Sequence, residues 1–79
     1  MTNKEKYENA FIEAFEISKD ELSGLEYNSI SQWDSVGHMG LMAALEDVFD
    51  ITMEMDEIID FSSFDKGIKI LNKHNVQID

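Results

Sequence analysis

Cysteine, proline and arginine are all absent from this 79-residue chain. Without thiols it has no disulfide frame, no thiolate metal site and no cysteine nucleophile. Without proline, helix ends must be read from capping residues and from where periodicity stops. Positive charge is scarce: six lysines stand against seventeen acids, a formal net charge of −11. Such a surface repels phosphate backbones, which argues against nucleic-acid binding. It suits partners with basic docking patches. Long apolar runs are missing too. The longest stretch without a polar side chain, Met39 to Leu45, falls far short of the roughly 20 residues a bilayer span needs. The opening MTNKEKYENA holds no apolar core of a secretion signal, so a cytoplasmic location is expected. His38 and His74 are too few and too far apart for a metal cluster.

What is present is a folded composition, 43% hydrophobic and 29% charged, of a length for one domain over residues 1–79. Folding at this size hides only roughly 60% of the unfolded chain's surface. That leaves a small core from which to carve an enzyme cleft, so no catalytic activity of its own is expected.

Periodicity predicts helices. Tyr7, Phe11, Ala14 and Phe15 make one apolar stripe, with Ala10 beside it, on a helix from about Asn3 to Glu16. Thr2 and Glu5 have the spacing of a capping box. From Ile17 to Trp33 the pattern becomes irregular, a long connection pinned by Leu22, Leu25, Tyr27, Ile30 and Trp33. A second helix starts at Asp34-Ser35 and reaches about Asp50, burying Leu41, Met42, Leu45, Val48 and Phe49. A second strip on it, Val36, Met39 and Ala43, is expected to be half exposed. A short helix is expected over Met55 to Asp60. The last helix begins near Ser62 or Ser63, where Ser62 and Asp65 have capping-box spacing, and runs to about His74. Its stripe is Phe64, Ile68 and Leu71, with Ile70 beside it, and Gly67 weakens it by up to about 1 kcal/mol relative to alanine. The expected fold is therefore all-α: a small antiparallel four-helix bundle, three helices long and one short, with a long first loop. Acidity is concentrated in residues 1–65, with sixteen acids and three lysines; residues 66–79 carry three lysines and one acid.

The chemistry centres on Trp33-Asp34-Ser35-Val36. Asp34 is a strong N-cap type, which places Ser35 at the first helical position. Free backbone N–H groups and the positive end of the dipole there favour a phosphate ester. A capping serine with no further role has the same local pattern. The wider run separates these readings. Asp34-Ser35-Val36, followed by Leu41, Ala44-Leu45-Glu46 and Phe49-Asp50-Ile51, resembles the acyl carrier protein family, whose motif is Asp-Ser-Leu opening its second helix. The likeness continues through Ile58 and the Ser62-Ser63-Phe64 start of the last helix, covering about residues 30–72.

This resemblance implies that Ser35 carries 4′-phosphopantetheine, transferred from coenzyme A by a phosphopantetheinyl transferase. The arm's thiol would hold acyl or aminoacyl groups as thioesters for loading and transferring enzymes with basic docking patches, the carrier itself being a monomer. Asp34 is the motif residue and helix cap. Helix II would be the docking face, with Val36 and Met39 as apolar contacts and Glu46, Asp47 and Asp50 as charge partners. Two departures stand out. Trp33 occupies a position that is commonly small, and Gly37 and Gly40 fall where fatty-acid-synthesis members carry acids. Both point to a specialised carrier, for example in a surface-polysaccharide, secondary-metabolite or aminoacyl-transfer cluster. Ile58, with Phe61 and Phe64, is expected to fill the space in which fatty-acid carriers shelter a long chain, leaving a short or polar cargo exposed.

His38, three residues after Ser35, does not make a Ser-His-Asp triad with Asp34. One helix supplies neither the bridging imidazole geometry nor an oxyanion hole. It is expected to face solvent or, alternatively, to contact the prosthetic phosphate or a partner. The acids from Asp47 to Asp60 do not form an EF-hand loop, because Ile51, Thr52 and Met53 interrupt the ligands and the glycine is missing.

Overall fold

Four helices and one tight 3-10 turn form a small helical bundle in the computed structural model, which describes residues 1–78. In chain order they are α1 (Asn3–Phe15), the turn Lys19–Glu21, α2 (Ser35–Phe49), α3 (Met55–Asp60) and α4 (Phe64–Lys73). Each long helix starts on a side-chain cap. Thr2 and Glu5 form the expected capping box, Asp34 accepts from the Gly37 amide, and Ser63 accepts from the Lys66 amide at 2.9 Å. The last cap is Ser63 rather than the Ser62–Asp65 box. The extended backbone of Ser63 (φ −158°, ψ 163°) aims its hydroxyl at the first turn. The C-terminal ends of α1 and α2 lack the usual glycine. Glu16 (φ 55°) and Asp50 (φ 53°) take the left-handed conformation instead, at a cost of roughly 1–2 kcal/mol each.

The core is aromatic at its centre. Phe11 lies 5.0 Å from both Tyr7 and Phe64 and 5.5 Å from Trp33, ring centre to ring centre. Trp33, Tyr7, Phe11, Phe15, Phe61, Leu41, Met42, Leu45 and Leu71 are essentially inaccessible to solvent. Burying each contributes about 1.5–3 kcal/mol. Two expected core members lie outside it: Ala14 and Val48 are exposed, because α1 and α2 meet through small residues and leave the edges of both stripes in a shallow groove. On α4 the deepest residues are Gly67, Ile70 and Leu71, whereas Phe64 and Ile68 are only half-buried.

The long segment between α1 and α2 is tied down at both ends. Leu22, Leu25 and Trp33 are buried anchors. The Tyr27 amide donates to the Ser62 carbonyl, and the Phe64 amide donates to the Leu25 carbonyl, both at 2.9 Å. These bonds fix the segment against the α3–α4 junction. Trp33, the residue just before Asp34-Ser35, thus enters α2 from a fully packed position. Its large ring packs in the core among Phe11, Phe15 and Phe61.

Candidate functional site at the start of α2

Asp34 sets the geometry. Its carboxylate Oδ1 accepts the Gly37 amide at 2.8 Å, and its carbonyl accepts the His38 amide at 2.8 Å as the first helical bond. The cap is worth about 1 kcal/mol. It leaves the amides of Ser35 and Val36 ahead of that first bond, at the positive end of the helix. The Ser35 side chain is exposed. Of the seven serines, Ser18, Ser29, Ser31 and Ser63 use their hydroxyls in local hydrogen bonds. The hydroxyls of Ser35, Ser23 and Ser62 have no hydrogen-bond partner among the described residues, and of these three only Ser35 opens a helix behind an aspartate cap.

Gly37 is sterically required here. A Cβ at this position would run into the carbonyl oxygen of Gln32 and stand 3.3 Å from the Phe15 ring. An acidic side chain cannot occupy it without displacing the segment that delivers Asp34 and Ser35. Gly40 is different, since a Cβ there meets nothing within 4 Å.

Beside Ser35 lies an apolar cleft of about 350 Å³. Ser35 and Met39 of α2 form one wall, Met55, Ile58 and Ile59 of α3 the other, and Tyr27 closes one side. Its apolar lining is strongly exposed at Ile59 (75%), Met55 (72%) and Met39 (55%), and Val36, next to Ser35 in sequence, is 79% exposed. The cleft brings Met39, Met55 and Ile59 together beside Ser35, and the Val36, Met39 and Ala43 strip, expected to be half exposed, is exposed throughout. The signal for Met55 and Ile59 is their i, i+4 spacing on a helix too short to bury them. Ile58 is half-buried and Phe61 fully buried, and both contribute to the lining of this open cleft.

Glu46, Asp47 and Asp50 do not join this cluster. They lie at the far end of α2, eleven or more residues from Ser35, about 16 Å or more along the axis. One Glu46 oxygen already accepts the Met53 amide at 2.9 Å, which holds the α2–α3 connection. Asp47 and Asp50 are exposed.

His38 is the main surprise. It does not face solvent; its relative exposure is 9%. The indole N–H of Trp33 donates to His38 Nδ1 at 2.9 Å, and His38 Nε2 lies 2.7 Å from the Ile58 carbonyl oxygen. The i, i+5 spacing of Trp33 and His38 across a helix start carries no periodic signal, so only the fold reveals the pair. No group of three or more potential metal ligands is found among the described residues.

Comparisons with family models, curated proteins and solved structures found no match to this chain.

Proposed function

We propose that this chain is a carrier domain that bears 4′-phosphopantetheine on Ser35 and presents thioester-linked acyl or aminoacyl groups to partner enzymes, without catalysis of its own. The observation that carries this is the Ser35 hydroxyl: exposed, unengaged, first in α2 behind an aspartate cap, and ringed by exposed apolar side chains. The site fits the group. A phosphodiester at Oγ would sit against the free amides of Ser35 and Val36, and the adjoining apolar cleft can receive part of the arm or its cargo. When bound, the arm supplies the thiol that this cysteine-free chain lacks.

The chain's own residues orient and present. Asp34 holds the helix start, Gly37 lets the Gln32 backbone approach, and Val36, Met39, Met55 and Ile59 offer an apolar docking rim. Asp47 and Asp50 add negative charge at the other end of α2 for a partner's basic patch. Apolar contact near the serine with charge further away fits a specialised carrier better than one recognised through acids along the whole helix. A cytoplasmic monomer with the helices in antiparallel order completes the proposal.

Intact mass measured after incubation with coenzyme A and a broad-specificity phosphopantetheinyl transferase is the test. One added phosphopantetheine is expected, absent in Ser35→Ala, which should keep the fold because the hydroxyl makes no internal bond. A chain that gains no mass is instead an acidic helical interaction module without a prosthetic group.

A further inference from the structure

α3 is weakly held by apolar packing, since none of its six residues is fully buried. Three polar ties anchor it. Lys66 of α4 pairs with Asp60 at 3.0 Å, and His74 with Glu57 at 2.9 Å. The first is open to water, where such pairs contribute little; the second is partly shielded, its side chains 22% and 19% exposed. The third tie, His38 to the Ile58 carbonyl, is shielded. The His38 ring lies nearly parallel to that of Trp33, meeting it through the hydrogen-bonded edge, and is flanked edge-on by Tyr27 and Phe61.

The chemistry of that tie allows one arrangement. Indole N–H is only a donor and a carbonyl oxygen only an acceptor. Nδ1 must therefore accept from Trp33, and the neutral ring must carry its proton on Nε2, which donates to Ile58. A ring turned over would put carbon at both places. The Ile58 carbonyl belongs to the last turn of α3, where no intrahelical amide is available, and His38 supplies the missing donor from α2. The bond therefore spans the two walls of the cleft beside Ser35, and through Trp33 it is joined to the segment entering Asp34-Ser35.

We propose that His38 is a positioning residue: locked as the Nε2–H tautomer by Trp33 and the Ile58 carbonyl, it braces α3 against α2 and sets the width of the cleft beside Ser35. Its functional consequence rests on the carrier function proposed above.

The test uses the full-length ¹⁵N-labelled protein, unmodified, with His38→Gln, His38→Leu and Trp33→Phe. Long-range ¹H–¹⁵N spectra of the unaltered chain should show the Nε2–H tautomer of His38, and Trp33→Phe, which removes the donor to Nδ1, should shift the Nδ1 resonance while the Ile58 carbonyl keeps the proton on Nε2. In His38→Leu, amide hydrogen exchange at Ile58, Ile59 and Asp60 should quicken about three- to tenfold, as expected for one lost hydrogen bond. Exchange in α1 should hold steady. His38→Gln, which keeps an acceptor and a donor at its tip, should recover part of the protection. An Nδ1–H tautomer in the unaltered chain overturns the proposal whether or not any variant folds. Unchanged α3 exchange in His38→Leu overturns it as well. The rate of pantetheine transfer to Ser35 should change in His38→Leu and return toward normal in His38→Gln; equal rates in all three overturn the link to the cleft. If Ser35 of the unaltered chain accepts no pantetheine while tautomer and exchange behave as expected, the carrier function fails and the brace stands.

Discussion

Gly67→Ala pits helix propensity against packing, and packing should win. Gly67 lies in the middle of α4, where alanine would ordinarily gain up to about 1 kcal/mol. Here, however, an added Cβ would overlap Phe61 Cζ and Tyr7 Oη and come within 2.6 Å of Phe61 Cε1. Neither neighbour can give way easily. Phe61 is packed between Phe11, Trp33 and His38, and the Tyr7 hydroxyl donates to the Phe64 carbonyl at 2.6 Å. Overpacking costs about 1–3 kcal/mol, and disturbing the tyrosine bond adds about 0.5–1.5 kcal/mol. After subtracting the propensity gain, a net loss of about 1–3 kcal/mol remains, or a fall in Tm of about 5–20 °C for a domain of this size. Gly40→Ala is the internal control, because its Cβ meets nothing within 4 Å on exposed helix; it should raise stability by up to about 1 kcal/mol. Thermal and urea unfolding followed by circular dichroism would measure both. If Gly67→Ala proves neutral or stabilising, the close approach of α4 to Tyr7 and Phe61 is wrong.

Gly37→Ala should cost about 1–3 kcal/mol and shift the amide resonances of Gln32 to Ser35, because its Cβ pushes on the Gln32 carbonyl; unchanged resonances there would refute the steric account. Acid should also weaken the fold in a defined way. The Glu54 amide, and after it His74, hold the Glu57 carboxyl below its ordinary value of 4.5; Thr2 does the same for Glu5 and Ser18 for Asp20. Folded values that are depressed contribute stability present above the unfolded value and lost as pH falls through the folded one. Tm should therefore decline below about pH 4.5 and less steeply in Glu57→Gln, as a series of melts from about pH 6 to about pH 3 would show; parallel curves for the two proteins would refute it.

The amino-acid sequence by itself determined where the helices lie, because apolar spacing and N-cap chemistry are local. Thr2, Asp34 and the Ser62-Ser63 pair mark three helix starts to within a residue, and the stripes around Phe11, Leu41 and Leu71 identify most of the core. It also singled out Ser35, since a hydroxyl after an aspartate cap is a local feature, and placed Val36 and Met39 next to it. Tertiary structure decided what depends on approach between distant residues. Gly67 reads as a flaw in a helix until Tyr7 and Phe61 are brought against it, and Gly37 reads as a missing acid until the Gln32 carbonyl occupies the space. His38 reads as a surface residue until α3 folds over it: a histidine's exposure depends on what covers its helix face, and the donor Trp33 and the acceptor Ile58 come together only in the folded chain. The cleft has the same origin. Met55 and Ile59 read as surface residues of a short helix, and only the placement of α3 beside α2 brings them to the edge of the cleft next to Ser35.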